Sequence, residues 1–326
     1  MKKILSLVLC ILMLTSVCAL TGCGEPKAPA TLKFGSAVYV SAPTATDATA
    51  DKNGEGSVDV TVAAVSVDAD GKIVACALDT MQSKVSYTTE GKAIGNPEAK
   101  TKYELGDNYN MVAYGKAQQE WYKQADAFEG VVAGKTLDEV KALVAEGNKG
   151  NDEVVNAGCT IMIHEFVGAI EKAYNSAGSS NVTADHTLKV TAYTVQDIAD
   201  ATADKAGSNQ VEVYTFAAAV DGANKVVAAG SDCVQVAFTF DTAGKSTFDA
   251  TKAIQSKKEQ GSNYGMTAIG KQEWYIQAMA FDSQCIGKTG AEIAGLMGND
   301  GKGVESVQTA GCTIYVTGFV KAASKI

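Results

Sequence analysis

The chain has 326 residues and a formal net charge of −9, from 28 basic and 37 acidic residues. All of the basic residues are lysines, since the sequence contains no arginine. Nucleic-acid binding requires clustered basic charge, so this acidic composition argues against a nucleic-acid partner. Without arginine the usual bidentate contact to phosphate is also absent. A phosphorylated ligand would therefore depend on backbone N–H groups, lysine or a covalent bond.

Residues 1–22 have the pattern of an export signal. A basic start, Met1–Lys3, precedes a short apolar run, and the run ends at the tetrapeptide LTGC, residues 20–23. This arrangement is typical of a secretory signal peptide rather than of a membrane-spanning helix. The tetrapeptide resembles the bacterial lipobox, in which the cysteine is lipidated and becomes the first residue of the mature chain. The alternative is an ordinary signal peptide in which Cys23 is incidental.

The lipobox resemblance implies a signal peptide at 1–22, a lipidated Cys23 and a polar tether that ends at residue 31. Two or more acyl chains make the attachment of a protein to a bilayer stable. We therefore expect contact with the membrane through the lipid anchor, and a location on the extracytoplasmic face of the cell membrane.

Five cysteines follow Cys23, and an odd number cannot be fully paired within one exported chain. They are Cys76, Cys159, Cys233, Cys285 and Cys312. We expect them to be small buried apolar side chains. The two histidines are far apart in the sequence and no Cys-x-x-Cys pair occurs, so we expect no metal site.

One series of motifs occurs twice, about 153 residues apart. An alternating apolar segment at 57–80 matches 209–233, and NAGCTIMI at 156–163 matches TAGCTIYV at 309–316. A period of this length indicates duplicated domains rather than solenoid repeats. We predict two tandem copies of one domain, at 32–176 and 188–326, which fold independently and are joined by a linker at 177–187.

The elements of each copy are predicted in the same order. The alternating segment is a hairpin, and third strands are predicted at 84–89 and 237–242. An apolar stripe at steps of three and four residues from Trp121 predicts a helix. Capping boxes that begin at Thr136 and Thr289 start a second helix.

The Ala-Gly-Cys-Thr segments are predicted as strands, because β-branched and apolar residues follow them directly. A helix at 164–174 then closes the first copy. Each copy is therefore expected to be an antiparallel sheet with about three helices, which is an α+β fold.

Each copy resembles the FMN-binding domain family, on the hairpin VDVTVAAVSVDADGKIV and on the later Ala-Gly-Cys-Thr segment. The family includes flavin-carrying subunits of ion-pumping NADH:quinone oxidoreductases and lipoproteins of extracytoplasmic electron transfer. Its motif is Ser/Thr-Gly-Ala-Thr, whose final threonine can be esterified to the phosphate of FMN. The resemblance implies FMN as cofactor, with Gly158, Thr160, Gly311 and Thr313 at the binding site. Alanine and cysteine replace two residues of the motif, which argues against covalent attachment. The alternative is that the segment recurs only because both copies keep the same core.

A second repeated constellation combines a lysine with a tryptophan–tyrosine pair. In the first copy it comprises Lys116 and Tyr122 beside Trp121, and in the second copy Lys271 and Tyr275 beside Trp274. An aromatic ring beside a lysine could stack on a flat ligand and contact an anionic group. The alternative is that both tryptophans belong to the core.

The sequence shows no nucleophile–base pair, so no catalytic residue is assigned. The function that the resemblance implies is that of a membrane-anchored lipoprotein with two FMN-binding-like domains, which carries electrons to or from a redox partner protein. The alternative is a non-enzymatic surface protein whose duplicated domains bind a small ligand or a protein partner.

Replacement of Cys23 by alanine tests the predicted attachment of the protein to the membrane. We expect Cys23→Ala to release the protein from the membrane fraction or to stall its processing, because the variant offers no thiol for acylation. Fractionation of cells that express wild type and variant measures the effect. An unchanged membrane fraction would contradict the lipid anchor.

Overall fold

The computed structural model of the chain describes residues 29–95, 99–269 and 271–326. The predicted signal peptide, Cys23 and most of the tether lie outside these residues. Over the described ranges, none of the helices has the length and apolar character needed to cross a bilayer. The fold is mixed α/β, with antiparallel sheets and about ten helices in the described part of the chain.

Six strands form the first sheet, in the order β5-β4-β3-β1-β6, with β2 paired to β3. They are β1 (Leu32–Val40), β2 (Thr44–Thr46), β3 (Gly54–Val67), β4 (Ile73–Tyr87), β5 (Ala93–Ile94) and β6 (Gly178–Val182). Three strands form the second sheet, in the order β7-β8-β9. They are β7 (Thr187–Ala199), β8 (Gly207–Val220) and β9 (Val226–Phe240). We call residues 32–182 the N-terminal half and residues 187–326 the C-terminal half.

The helices follow the hairpin strands in each half, and β6 comes after the last helix of the N-terminal half. In the N-terminal half they are α1 (Lys102–Leu105), α2 (Trp121–Val132), α3 (Leu137–Lys141), α4 (Asp152–Ala157) and α5 (His164–Asn175). In the C-terminal half they are α6 (Lys257–Gln260), α7 (Trp274–Cys285), α8 (Gly290–Ile293), α9 (Glu305–Thr309) and α10 (Thr317–Ala323). Both predicted capping boxes are present, at the starts of α3 and α8.

The predicted hairpin is formed by β3 and β4, and its turn explains the register. The Asp68 carboxylate accepts hydrogen bonds from the backbone N–H groups of Asp70 and Lys72, and Gly71 has a φ of 80°. An Asp side chain and a glycine with positive φ are what such a tight turn requires. The separate third strands predicted at 84–89 and 237–242 are wrong. These residues largely continue β4 and β9, because those strands stay paired with β3 and β8 along their whole length.

The segment assigned as a linker carries a strand. Within 177–187, β6 pairs with the start of β1, and the Ser180 hydroxyl donates to the Leu32 carbonyl oxygen at 2.7 Å. Strand β1 itself was not predicted, although it pairs along eight residues with the C-terminal part of β3. The connection between the halves is therefore part of the first sheet rather than a free tether.

The two sheets pack face to face and share an apolar core. The N-terminal half contributes Val38, Val58, Val60, Val62, Met81 and Val85, and the C-terminal half contributes Ala192, Val211, Val213, Val234, Val236 and Phe238. The outer face of the first sheet is covered by α2 and α5, and that of the second by α7 and α10. The layers therefore run helices, sheet, sheet, helices. This arrangement explains why β3 and β8 end in runs buried on both faces.

Two ion pairs across this interface occupy matched positions. Lys172 on α5 contacts Glu259 on α6 at 2.6 Å, and Lys325, which follows α10, contacts Glu104 on α1 at 2.8 Å. On the far side of the interface the rings of Tyr87 and Phe240 stack at 4.3 Å. Each half therefore contributes a lysine, a glutamate and an aromatic ring to the interface, at matched positions.

The shared core leads us to expect that the halves do not fold independently. The isolated segment 188–326 would expose the inner face of its sheet, including Val213 and Phe238, and each such side chain contributes about 1.5–3 kcal/mol when buried. We expect this segment to unfold or self-associate when expressed alone. Light scattering and circular dichroism measure this, with the full chain as control. A folded monomeric segment would contradict the expectation.

Candidate functional site

The Ala-Gly-Cys-Thr segments are helix ends, and the strand prediction is wrong. Ala157 is the last residue of α4, and Gly158 follows it with a φ of 107°. Ala310 follows α9, and Gly311 has a φ of 109°. Residues with a side chain rarely adopt this backbone conformation, so glycine is required at both helix ends. The apolar residues that suggested a strand lie instead in a short loop before α5 and α10.

The two threonines of these segments hold a buried glutamine. The backbone N–H of Thr160 donates to Oε1 of Gln124 at 2.8 Å, and the Thr160 hydroxyl donates to the same atom at 3.0 Å. Thr313 makes both bonds to Gln277, at 2.9 and 3.0 Å. Gln124 on α2 and Gln277 on α7 have no solvent exposure. The threonines therefore satisfy an oxygen that would otherwise be buried without a partner.

The cysteines of the segments pack into the core. Cys159 and Cys312 are fully buried free thiols, and burial raises the pKa of each to about 11. Cys76, Cys233 and Cys285 are also buried and free. Thiols in such surroundings are poor nucleophiles and poor metal ligands. The glycine, cysteine and threonine of the segment thus each have a structural role in both halves.

The other sequence-predicted residues lie at the surface or at its edge. Lys116 is exposed in the loop before α2 and has a φ of 53°. Tyr122 is partly buried, and its hydroxyl donates to Asp107 at 3.3 Å. Tyr275 is partly buried on α7. Lys271 reaches the hydroxyl of Thr313 at 3.5 Å, so the structure brings these two predicted residues together. Both tryptophans belong to the core, at 4% and 3% exposure.

A buried lysine beneath aromatic rings is the feature that the sequence analysis missed. In the C-terminal half the ammonium of Lys257 lies 2.7 Å from Glu212 and 5.3–5.9 Å from the ring centres of Tyr214, Tyr264 and Trp274. Its side chain is 5% exposed. Burial opposes the charge, but the neighbouring Glu212 carboxylate helps to raise the pKa of Lys257 above its ordinary value. The lysine therefore remains charged.

The N-terminal half has a similar lysine. Lys102 lies 2.9 Å from Asp59 and 5.5 and 5.9 Å from the ring centres of Tyr109 and Trp121. Burial opposes its charge, but Asp59 helps to raise the pKa of Lys102 above its ordinary value. The capping boxes at Thr101 and Ser256 set both lysines at the first position of a short helix. The sequence signal that could have found them is Thr/Ser-Lys-x-Glu, present in both halves.

A cavity of about 670 Å³ adjoins Lys257. Aromatic side chains from four separate segments line it, namely Tyr214, Tyr264, Trp274 and Tyr315. Ile269 and Tyr315 are 73% and 64% exposed, so the wall is open to solvent there. We call this space the aromatic cavity. Its volume is in the range of small-molecule sites, and a few polar groups among aromatic walls are their usual composition.

Two positions at which the halves differ shape the wall of the aromatic cavity. Tyr214 stands where the N-terminal half has Thr61, and Gly318 stands where it has Glu165. The ring of Tyr214 packs so closely on Gly318 that a Cβ atom there would collide with it. Glu165 occupies the matched position with a pKa raised by burial. The carboxyl group of Glu165 in the N-terminal half is thus replaced, in the C-terminal half, by the ring of Tyr214 packed on Gly318.

Buried and partly buried carboxyl groups lie where α2 packs on β4 and where α7 packs on β9. Burial raises the pKa of Asp79 to about 7, that of Glu129 to about 8 and that of Asp232 to about 6, and it also raises that of Asp282. Asp79 accepts from the backbone N–H of Tyr103 at 3.1 Å, so it helps to hold α1. Within the described residues, no group of three or more acidic, His or Cys side chains is arranged to hold a metal ion. Glu129, Asp232 and Asp282 likewise accept hydrogen bonds from backbone N–H groups, so the four carboxyls have structural roles.

Comparison with known proteins does not assign a family. No protein-family model, no curated protein and no solved structure matches this chain. The function therefore has to be inferred from the geometry above and from the sequence motifs.

Alanine at the repeated glycines tests their role at the helix ends. We expect Gly158→Ala and Gly311→Ala each to lower the free energy of unfolding by about 1–2 kcal/mol, because a side chain is strained at positive φ. Gly295→Ala is the matched control, since Gly295 lies in a helical turn with open space around it. Denaturant unfolding measures all three. Equal stability of the variants and the control would contradict the assigned role.

The buried carboxyls predict an effect of pH. The folded pKa of Asp79 is about 7, whereas an unfolded aspartate titrates near 4. The folded state therefore keeps a proton that the unfolded state has lost between these values, and its stability falls as pH rises through that window. We expect Asp79→Asn to gain stability relative to wild type from about pH 4 to about pH 7 and then to level off. Unfolding at several pH values measures the difference, and a constant difference would contradict the raised pKa.

Proposed function

We propose that the chain is a lipid-anchored, extracytoplasmic binding protein that is built from two tandem copies of one α+β unit. A small planar ligand is held in the aromatic cavity of the C-terminal unit. The observation that carries the proposal is this cavity, with a charged lysine at its base and four aromatic rings around it. The aromatic lining and the paired lysine suit the binding of a ligand, and no catalytic role is assigned to the lining residues.

Matched geometry supports the duplication. The helix-end segments make the same threonine–glutamine bonds in both halves, at Thr160 and at Thr313. The cross-interface ion pairs of Lys172 and Lys325 are reciprocal. Reciprocal contacts of this kind are the property of an interface between two equivalent subunits. We infer that the two units are arranged as a symmetric dimer is, within one chain.

The lining of the cavity indicates the class of ligand. Aromatic side chains bind flat rings by offset or edge contacts, and each such pair contributes about 0.5–1.5 kcal/mol beyond its buried area. The ammonium of Lys257 has three N–H donors, and Glu212 accepts from it. Since Glu212 already balances the charge, the remaining donors favour an acceptor oxygen over a second full negative charge. We therefore propose a planar ring that carries a carbonyl oxygen.

FMN is the second candidate, and the function is then electron transfer with a redox partner protein. The contact between Lys271 and Thr313 favours it, because a phosphate group at Thr313 would lie beside an ammonium group. Ile314 and Tyr315, which directly follow Thr313, line the aromatic cavity. An isoalloxazine is a planar ring with carbonyl oxygens and thus belongs to the proposed ligand class.

Fluorescence of a single tryptophan tests the cavity. Trp121→Phe leaves Trp274 in the cavity wall as the only indole of the chain. We expect riboflavin, FMN or menadione to quench its emission saturably, and Trp274→Phe, which keeps Trp121, to show little quenching. The double variant Lys257→Met/Glu212→Gln removes both charges together and should weaken binding about tenfold or more, because it removes a charged hydrogen-bond donor.

The matched double variant Lys102→Met/Asp59→Asn should leave binding unchanged. Equal quenching in both single-tryptophan variants, or no quenching by any of the three probes, would contradict the cavity. Absorption of blue light by the purified protein would decide between the candidates in favour of the flavin carrier.

A further inference from the structure

The outer surface of α7 is apolar where a soluble helix is normally polar. Ile276, Met279 and Ile286 are 40%, 58% and 47% exposed, and Ser283 is exposed between them. Steps of three and four residues place Ile276, Met279 and Ser283 on one side of α7, and Ile286 directly follows the last residue of the helix. We call these four residues the α7 outer face.

The matched surface of α2 is different. The residues at the same positions there are Lys123, Asp126, Gly130 and Ala133. Both helices pack on their sheets through a tryptophan, an alanine and a phenylalanine at matched positions, so this shared packing does not require the apolar outer face. The change from charged to apolar residues on the exposed side of α7 indicates a contact that only the C-terminal half makes.

The α7 outer face lies beside the point where the chain enters the fold. Met279 and Ile286 line a surface depression of about 570 Å³ together with Phe34 and Gly35 of β1. Strand β1 begins at Leu32, so the tether leaves the fold at the edge of this depression. From Cys23 to Leu32 the chain spans nine residues, and an extended chain of that length reaches about 30 Å at most.

Lysines accompany these apolar side chains. Lys258 lines the same depression, Lys33 is exposed at the start of β1, and Lys288 follows Ile286 by two residues. Asp282, also in the depression, is buried, and burial raises the pKa of its carboxyl. In a chain with a net charge of −9, this surface therefore combines basic and apolar groups. Interfacial segments that rest on lipid have the same combination.

We propose that the α7 outer face rests on the lipid bilayer, with Ile276, Met279 and Ile286 in the interfacial layer and the nearby lysines at lipid phosphates. The inference rests on the proposed lipid anchor, because the short tether is what holds this side of the protein near the bilayer. The contact orients the molecule, with β1 and α7 towards the membrane.

Vesicle binding of the unlipidated mature chain tests the contact apart from the anchor. The protein is the full mature chain with Cys23→Ser, produced without its signal, and the vesicles contain equal parts of phosphatidylcholine and phosphatidylglycerol. We expect measurable co-sedimentation with the vesicles. Ile276→Lys/Met279→Asp, which installs the residues of α2, should reduce the bound fraction at least tenfold. The matched control is Lys123→Ala/Asp126→Ala on α2, and it should bind as the unsubstituted protein does.

Circular dichroism and unfolding of both variants confirm that the fold is kept. The proposal is overturned if the unlipidated chain does not bind vesicles, or if the α7 variant binds as well as its control. It is also overturned if light scattering without lipid shows a dimer that the α7 variant dissociates, because a second copy would then cover the face. Incorporation of a labelled fatty acid into the wild type, and its loss in Cys23→Ala, reports on the anchor separately, so failure of the anchor and failure of the face are distinguishable.

Discussion

The contact between the two sheets is the constraint on which the rest of the molecule depends. Helices cover one face of each sheet, and the other face would be exposed if the sheets did not pack together. Val60 and Val213 are completely buried in this contact. Since each fully buried aliphatic side chain contributes about 1.5–3 kcal/mol, a shared core of a dozen such residues outweighs any single ion pair at the surface. The short connection from β6 to β7, which links the two halves, is compatible with that contact.

The matched halves differ where the shared core does not restrict them. The inner residues of α2 and α7 are alike, whereas Glu165 and Gly318 differ beside the buried lysines, and Asp126 and Met279 differ on the outer surface. If the chain arose by duplication, the interface and the helix ends would keep their residues because both copies need them. The cavity wall and the outer surface could then change in one copy alone. The two proposed contacts, with a ligand and with lipid, both lie at such positions.

The buried lysines connect stability with the proposed binding. Lys102 and Lys257 are tolerated inside the protein because Asp59 and Glu212 neutralise them and because aromatic rings accept the ammonium groups. Removing one member of such a pair leaves an uncompensated charge, which is much more costly than removing both. The pair at Lys257 therefore has a structural role and also provides the polar base of the aromatic cavity. Its counterpart at Lys102 indicates that the pair is not there for the ligand alone.

Local signals in the sequence determined the hairpins, the amphipathic helix at Trp121 and the helix starts at Thr136 and Thr289, because alternation, helical spacing and capping act between residues close in the chain. The resemblance to the FMN-binding domain family and the pattern of the export signal likewise depend only on short stretches of the sequence. The Ala-Gly-Cys-Thr segments were misassigned because an apolar run after a glycine is compatible with a strand or with a helix end. Packing of Cys159 and the bonds of Thr160 to Gln124 decide between them, and these partners are 36 residues apart.

The aromatic cavity and the α7 outer face depended on the tertiary structure alone. Tyr214, Lys257, Trp274 and Tyr315 come from four segments, and no local pattern brings them together. The helical spacing of Ile276 and Met279 could be read as core, and only the packed sheet shows that they face outward. The sequence thus determined the hairpins and the principal helices, and it led us to expect a location at the cell surface. The packing of the sheets decided which side chains meet, because burial of the inner sheet faces is a property of the whole chain.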